Sequence, residues 1–361
     1  MKIRLETKIM DITKIDKNFE TKKSVNFEFD EYDASKYPFT VYGGFCEPRR
    51  KFEKMPVDVA EKISVGVLWG SGCGAGIRIT FATDSEKIGL CAKIRDKNLM
   101  PHMPFTGSAC FSLTEYEGEK SDFIGNFVTD MTEGTSVCDA TIQVKGKKLR
   151  YYCLHLPLYS GVDDLVLRFD RGSTVLVYKK FENKPKILYY GSSITQGGCA
   201  SRADNSYQQL VSEWSGFDYK ILGFSGSAKA EDGMAEYLKN EDCDLFVCDY
   251  DYNAPSAEYL ENTHQKLYRA FKSLKKHKNV PVIFLSKPDG LRGDDGEQRF
   301  NIIKKTYDDA VSRGEPVALI DGRKIYPDDA YSHCAVDGCH PNDLGFYFMA
   351  KAIYKAIKQF L

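Results

Sequence analysis

The hydrophobic pattern of this 361-residue chain changes once, near residue 184, and that change constrains the fold more than any other feature. Beyond it, short apolar runs alternate with longer segments whose apolar residues recur every three or four positions. The short runs predict five strands, at 186–193, 219–226, 245–251, 280–288 and 316–322. The longer segments predict helices at 205–216, 231–240, 256–277 and 295–312 and a last helix from Asn342.

Strands that alternate with helices predict an α/β fold in which a five-stranded parallel sheet is buried on both faces. Right-handed crossovers between the strands give such a sheet a doubly wound topology. Ligands of doubly wound sheets bind outside the carboxyl ends of the strands, so reactive side chains are expected there.

The residues before the change have a different pattern. Alternating apolar and polar positions predict strands at 25–30, 63–69, 77–83 and 165–170, with glycine and aspartate clusters between them. Many short strands without intervening helices predict an all-β, jelly-roll-like sandwich. We therefore divide the chain into a β-sandwich accessory domain, residues 1–183, and an α/β domain, residues 184–361.

Composition argues against several classes of partner. The 50 basic and 51 acidic residues give a net charge of −1 without long blocks of one sign, so neither nucleic acid nor an anionic membrane is expected. The chain has neither the apolar run of a signal peptide nor the roughly 18 apolar residues of a membrane span. Its eleven scattered cysteines are expected to be mostly reduced and buried, as in a cytoplasmic protein.

Five residues with roles in acyl transfer follow the predicted strands. Ser193 ends the first strand, Gly226 ends the second and Asn253 follows the third. Asp337 and His340 lie between the fifth strand and the last helix. All five are expected at one edge of the sheet. A serine, amide donors for an oxyanion and an oriented imidazole are the groups that acyl transfer needs.

These residues resemble the motif blocks of the SGNH (GDSL-like) hydrolase superfamily. Ser193 in GSSITQG matches the block-one serine, and Gly226 in GFSG matches the block-two glycine. Asn253 in DYDYNA matches the block-three asparagine, although that block usually reads GxND. Asp337 and His340 in DGCHP match the DxxH of the last block.

The resemblance covers about residues 184–361 and implies the flavodoxin-like fold of that superfamily. HLPLYSGVDDLVLRF, residues 155–169, is similar to the N-terminal domain in one branch of bacterial GDSL-like acylhydrolases. Two-domain carbohydrate esterases have a similar layout. The resemblance leaves the oligomeric state open.

The resemblance implies a serine esterase with Ser193 as nucleophile, His340 as base and Asp337 as the carboxylate that orients His340. The N–H groups of Ser193 and Gly226 and the side-chain amide of Asn253 would form the oxyanion hole. The expected substrate is a small O-acyl ester, above all an acetyl ester, of a carbohydrate or glycosylated small molecule, without a cofactor or metal. The alternatives are an acyltransferase with the same residues and a non-catalytic carbohydrate-binding protein.

Other motifs have structural interpretations. GFSGS (223–227) resembles a nucleophile elbow, but Ser227 stands where that motif has glycine, so Ser225 is interpreted as turn structure. The lone GxGxxA in LWGSGCGAG precedes a strand pattern, which argues against a dinucleotide site. Zinc is disfavoured at His333-Cys334 with Cys339-His340, because adjacent side chains seldom bind one tetrahedral ion. The segment Glu47-Pro48-Arg49-Arg50 is interpreted as a solvated turn in preference to a specificity loop.

Overall fold

The computed structural model describes residues 12–16, 27–47, 50–132, 134–288 and 295–361. The strands are β1 Phe29–Asp33, β2 Thr40–Tyr42, β3 Arg78–Thr83, β4 Lys87–Arg95, β5 Phe111–Glu117, β6 Lys120–Phe127, β7 Val137–Gln143, β8 Arg150–His155, β9 Gly161–Asp170, β10 Val175–Val177, β11 Lys186–Gly191, β12 Asp218–Gly223, β13 Leu245–Asp249, β14 Val282–Leu285 and β15 Val317–Ile320. The α-helices are α1 Val57–Ile63, α2 Val65–Ser71, α3 Phe105–Ser108, α4 Ser193–Gln196, α5 Tyr207–Ser215, α6 Asp232–Asn240, α7 Ala257–Lys272, α8 Gly296–Ser312 and α9 Asp343–Ile357.

The α/β prediction is confirmed. Strands β11 to β15 form a five-stranded sheet in the order β12-β11-β13-β14-β15, and each neighbouring pair is parallel. Helices α5 and α9 pack their apolar residues on one face, and α6, α7 and α8 pack theirs on the other. The chain reverses its winding direction between β11 and β13, so the switch point of the sheet lies beyond Gly191 and Asp249.

The predicted antiparallel β domain is also confirmed. One sheet has the order β1-β9-β4-β7, and the other has the order β10-β3-β8-β5-β6 with β2 paired to β3. Apolar residues from both sheets share one core, which includes Ile79, Phe81, Leu90 and Leu167. The finer description as a jelly roll stays a prediction, and this strand order supports it.

Two predicted strands of the β domain need correction. Residues 63–69 form the end of α1 and most of α2 instead of a strand, because the hydroxyl of Ser64 accepts the N–H of Val67 and starts a new helix. The strand predicted at 25–30 begins at Phe29 and continues to Asp33, and residues 25 and 26 lie outside the described residues. The β domain therefore contains helices that the alternating pattern did not predict.

The helices of the β domain pack on the α/β sheet. Met55, Ala60 and Val67 join the apolar core that α6, α7 and α8 form with one sheet face.

The guanidinium of Arg78, in the β domain, donates from Nη2 to Asp218 Oδ1 at 2.8 Å and to the Tyr219 carbonyl at 2.6 Å, both in the α/β sheet. The division at residues 183 and 184 remains a proposal, in a segment between the end of β10 and the start of β11.

The cysteines are mostly buried, as predicted. In the part of the chain that the structure describes, none of the eleven forms a disulfide, and seven of them are buried: Cys73, Cys110, Cys138, Cys153, Cys199, Cys248 and Cys334. Among the described residues, no helix is both long enough and apolar enough to span a bilayer.

Candidate active site

Ser193 lies where β11 turns into α4, at the carboxyl edge of the sheet. The hydroxyl of Ser192 accepts the N–H of Ile194 at 3.2 Å and caps α4, which leaves Ser193 as the first helical residue. The turn is tight: a Cβ at Gly191 would collide with the Asp249 carbonyl and with Thr195 Oγ1. The helix therefore presents Ser193 at a fixed point, with 5% of its surface exposed.

The side chains of Ser193, His340 and Asp337 form one chain of hydrogen bonds. Ser193 Oγ is 2.8 Å from His340 Nε2, and His340 Nδ1 is 2.7 Å from Asp337 Oδ2. Because Nδ1 faces a carboxylate, the proton of a neutral ring belongs on Nδ1, and Nε2 is free to accept the serine proton. The arrangement has the connectivity of a nucleophile, a base and an orienting acid.

The loop between β15 and α9 holds Asp337 and His340 in this geometry. Asp337 Oδ1 accepts the N–H of Cys339 at 3.0 Å and the N–H of His340 at 2.7 Å, so the carboxylate folds back over its own turn. Burial raises the pKa of Asp337, but these backbone bonds and the His340 ring outweigh it and lower the pKa to about 2. The carboxylate is therefore ionised throughout the neutral range.

The pKa of His340 is raised to about 9. The contact with the Cys339 side chain is the largest cause, and the hydrogen bond to Asp337 acts in the same direction. Burial of the ring favours its neutral form and opposes both.

Three groups are candidates to donate to an oxyanion. The N–H of Ser193 is the first of α4, and within the described residues neither it nor the N–H of Gly226 has a hydrogen-bond acceptor. Asn253 ends a 3-10 helix at Asp251–Asn253, and its Oδ1 accepts the N–H of Ala228 at 3.3 Å. That bond ties Asn253 to the turn carrying Gly226 and leaves its Nδ2 as the donating end.

Two side chains that the sequence analysis did not single out hold these parts together. Gln196, the last residue of α4, accepts the N–H of Ser225 on Oε1 at 2.9 Å and donates from Nε2 to the Leu158 carbonyl at 3.2 Å. The hydroxyl of Tyr159 donates to the carbonyl of Ser193 at 3.2 Å. Gln196 lies in GSSITQG and Tyr159 lies in HLPLYSG. Their places in these two motifs are the sequence feature that could have indicated a role at the site.

His102 also reaches the site from the β domain. Its Nε2 is 4.0 Å from Asp337 Oδ2, and its ring centroid is 5.7 Å from that of His340. It lies between β4 and β5 in a segment without a sequence motif, so nothing in the pattern indicated its position.

The alternative motifs have other surroundings. Cys334 is buried, and its Sγ lies 3.2 Å from the Ala330 carbonyl. Among the described residues, neither Cys334 nor His333 belongs to a group of His, Cys, Asp and Glu side chains that are close enough to bind one metal ion. The glycine-rich segment at 70–76 comprises the last two residues of α2 and most of its connection to β3. In the segment 47–50, Pro48 and Arg49 lie outside the described residues, and Arg50 lines a cleft of about 180 Å³ with Trp69.

Two family models match the chain. Residues 183–358 match the GDSL-like lipase/acylhydrolase family, and residues 30–175 match a model described as the N-terminus of SGNH-hydrolase-type esterases. No curated protein matches the chain in sequence.

Solved structures share the whole two-part architecture. A protein from Bacteroides ovatus described as a GDSL-like lipase is 24% identical with a TM-score of 0.80 over 92% of this chain and 98% of its own. A salicylyl-acyltransferase from a tetracycline biosynthetic pathway is 15% identical with a TM-score of 0.76 over 92% and 97%. A family two carbohydrate esterase from Clostridium thermocellum, in complex with cellohexaose, is 12% identical with a TM-score of 0.54 over 80% and 93%. At these identities, the likenesses establish a common fold.

Proposed function

Because residues 183–358 belong to the GDSL-like lipase/acylhydrolase family, we propose that this chain is a serine esterase with Ser193 as nucleophile and His340 as base. The observation that carries the proposal is the hydrogen-bonded chain from Ser193 Oγ through His340 to Asp337, with links of 2.8 and 2.7 Å. A serine hydroxyl is a weak nucleophile unless a base lies within such reach.

The proposed reaction has two acyl transfers. Ser193 Oγ attacks the carbonyl carbon of the ester while its proton moves to His340 Nε2, and the alcohol leaves with that proton. Water then gives a proton to Nε2 and attacks the acyl-enzyme, and Nε2 returns this proton to Ser193 Oγ as the bond between Oγ and the acyl carbon breaks and the acid is released. In both steps the N–H groups of Ser193 and Gly226 and the Nδ2 of Asn253 stabilise the negative oxygen.

We propose a small O-acyl group, above all acetyl, on a carbohydrate or glycosylated small molecule as the substrate. The carbohydrate esterase from Clostridium thermocellum, which has the same fold, was crystallised with cellohexaose, and this supports a carbohydrate as part of the substrate. The cleft lined by Trp69 and Arg50 lies on the β domain, and Trp69 packs 6.3 Å, centroid to centroid, from Tyr159, which contacts Ser193. A tryptophan there suits stacking against a sugar ring.

An acyltransferase is the second candidate. The salicylyl-acyltransferase has the same fold with a TM-score of 0.76, and a transferase would use the same residues. The two activities differ in whether water or an alcohol resolves the acyl-enzyme. Product analysis in the presence of a competing sugar alcohol separates them, because a transferase forms a new ester while a hydrolase releases only free acid.

The test of the esterase is hydrolysis of p-nitrophenyl acetate, butyrate and octanoate by the wild type and by Ser193→Ala. We expect turnover of the acetate that falls with chain length. We expect Ser193→Ala to lose at least about a thousandfold in kcat, as other triad serines do. Ser225→Ala is the matched control, since Ser225 lies in the neighbouring GFSGS turn, and it should keep most of the activity.

Activity that survives Ser193→Ala would refute the assignment of the nucleophile, and loss in Ser225→Ala alone would transfer it to Ser225. A wild type that turns over none of these esters but binds a sugar would support the non-catalytic binding protein. Transfer to the acceptor without free acid would support the acyltransferase.

A further inference from the structure

Three side chains with the chemistry of zinc ligands lie together beside Ser193. His102, Asp337 and His340 each offer one ligand atom, and these atoms lie within 4.8 Å of one another. His102 Nε2 is 4.0 Å from Asp337 Oδ2, and His340 Nδ1 is 2.7 Å from the same oxygen. Two imidazoles and one carboxylate are the donor set of several three-ligand zinc sites that leave the fourth position to water.

Zinc binding requires only an adjustment of the three side chains. Zinc bonds of about 2.0–2.2 Å place two ligands of one tetrahedral ion about 3.3 Å apart. The Asp337–His340 separation of 2.7 Å is shorter than that value, the His102–Asp337 separation of 4.0 Å is longer, and the His102–His340 separation is at most 4.8 Å, so the side chains must adjust to bind the ion. The side chain of His102 is 38% exposed, and that of Asp337 is 34% exposed. His102 can therefore rotate toward the carboxylate, and an ion can enter from solvent.

We propose that Zn²⁺ binds His102, Asp337 and His340 and thereby inhibits the enzyme reversibly. The inhibition rests on the proposed function, whereas the binding site rests on the three side chains alone. The ion is a regulator in this proposal and takes no part in ester hydrolysis.

The inhibition follows from which ring nitrogen the ion occupies. In the active form the neutral ring of His340 carries its proton on Nδ1 and accepts from Ser193 on Nε2. Zinc coordination through Nδ1 sends that proton to solvent, and Nε2 takes one proton from solvent, so the ring stays neutral. The Nε2–H then faces Ser193 Oγ, only 2.8 Å away, and has no lone pair with which to accept the serine proton.

Asp337 loses its present function in the same event. Its Oδ2, which accepts from His340 Nδ1, becomes a zinc ligand, while Oδ1 keeps the backbone bonds from Cys339 and His340. The loop thus holds the carboxylate in place with or without the ion. His102 supplies the third ligand from the β domain, so the site exists only where the two domains meet.

The experiment measures binding and inhibition separately. Full-length wild type and His102→Ala are titrated with Zn²⁺ by calorimetry near pH 7.5, and hydrolysis of p-nitrophenyl acetate is followed over the same concentrations. We expect one high-affinity zinc per chain and parallel inhibition in the wild type, both reversed by a chelator. His102→Ala should weaken both by at least about tenfold, since even the loss of an outer-shell partner costs 10–100-fold in metal affinity.

Two controls and one rescue variant make the result specific. His333→Ala removes another exposed imidazole, outside the cluster, and should leave zinc binding and inhibition unchanged. Mg²⁺ prefers six oxygen ligands and should neither bind at this site nor inhibit. His102→Cys restores a zinc ligand and should recover part of the affinity that His102→Ala loses.

The outcomes are distinguishable from failure of the esterase proposal. Stoichiometric, His102-dependent zinc binding to a chain without esterase activity would confirm the metal site and refute the proposed function. Absence of that binding, or equal binding and inhibition in wild type and His102→Ala, would overturn the metal site while leaving the esterase untouched.

Discussion

At the scale of single residues, His340 is held between groups that favour its protonated form. The contact with Cys339 and the bond to Asp337 raise the pKa of the ring to about 9. The Ser193 hydroxyl and the His102 ring also lie beside it. The ring must be unprotonated to accept the serine proton, so kcat/KM should rise with pH and reach half its maximum near pH 9.

Removing the Cys339 side chain, the largest cause of the raised pKa of His340, should move the pH at which kcat/KM is half its maximum. Cys339→Ala is expected to shift the rise of kcat/KM to lower pH, toward the 6.5 of a free imidazole, while Asp337 still holds it above that value. Cys46→Ala, at the exposed thiol, is the control and should leave the profile unchanged. If the midpoint of the wild type lies near pH 6.5 and is the same in Cys339→Ala, the Cys339 thiol has no influence on the pKa of His340.

Asn253 is predicted to act through its Nδ2 on the oxyanion. Asn253→Ala should lower kcat by about 10²–10³-fold, or roughly 3–4 kcal/mol of barrier, with little change in KM. Asn240→Ala removes an exposed amide on α6 and serves as the control. If Asn253→Ala and the wild type have equal kcat and KM, Asn253 does not stabilise the oxyanion, and only the backbone N–H groups of Ser193 and Gly226 do so.

The sequence was informative about residues that sit in motifs at strand ends. The parallel sheet brings the ends of β11 and β13 together, and the side chains of Ser193, Asp337 and His340 lie within hydrogen-bond distance of one another in series at that edge; their catalytic roles stay predictions. His102 was not predictable, because its place depends on how the β domain packs against the loop that carries Asp337. Such contacts leave no periodic signal in either segment.

At the scale of elements, α2 braces the turn that carries Gly226. A Cβ at Gly66 would lie 2.8 Å from Ser227 Cβ and closer still to its hydroxyl, and one at Gly70 would lie 2.9 Å from Phe224 Cδ1. From the segment before α1, the buried Lys54 donates from Nζ to the Gly223 carbonyl at 2.9 Å. The β domain therefore determines where the turn after β12 lies.

This packing predicts the effect of Gly66→Ala. Alanine improves helix propensity by about 1 kcal/mol, yet its Cβ must push Ser227 and the adjacent N–H of Gly226 away. We expect kcat to fall about ten- to a hundredfold, as small misplacements of catalytic groups do, while the α-helical circular dichroism is retained. Steady-state kinetics on p-nitrophenyl acetate measure the loss.

A second substitution tests the cause. Ser227→Gly removes both atoms that the new Cβ would meet, so the double variant Gly66→Ala/Ser227→Gly should recover most of the activity that Gly66→Ala loses. Ser227→Gly alone is the control for the effect of the lost side chain. A double variant as impaired as Gly66→Ala would mean that the turn is not displaced by this contact.

The α/β elements were predictable and those of the β domain less so, for a physical reason. A strand buried on both faces has a continuous run of apolar residues in sequence, as in the first four residues of LFVCD at Leu245–Asp249. The ISVGVLW segment alternates like a strand, but Ser64 caps a helix inside it, and Val67 then points into the core beneath the α/β sheet. The local pattern could not reveal which domain that valine would pack against.

At the scale of the whole molecule, the two domains share their apolar cores. Ala75, Met103 and Leu158 of the β domain join the core formed by α5 and α9, and Met55 and Val67 join the opposite one. A change of hydrophobic period divides the sequence cleanly, but it carries no information about this shared packing. We therefore expect both domains to unfold in one cooperative transition instead of two.

Arg78 and Asp218 form a buried ion pair between the two domains. Arg78 is fully buried, Asp218 is 5% exposed, and the Arg78 guanidinium lies 3.6 Å from the centroid of the Tyr219 ring. Arg78→Met leaves the carboxylate buried without its partner, so the free energy of unfolding should fall by about 3–5 kcal/mol. Guanidinium unfolding followed by tryptophan fluorescence and circular dichroism measures it.

A double variant without either charge tests whether the loss of stability in Arg78→Met comes from the unpaired Asp218 carboxylate. Arg78→Met/Asp218→Leu leaves neither ion uncompensated, so it should recover at least half of the stability that Arg78→Met loses. Lys304→Met breaks an exposed pair with Asp308 on α8 and should change stability by less than about 0.5 kcal/mol. Two separate unfolding transitions in the wild type, or a loss below about 1 kcal/mol in Arg78→Met, would mean that the domains are stable independently.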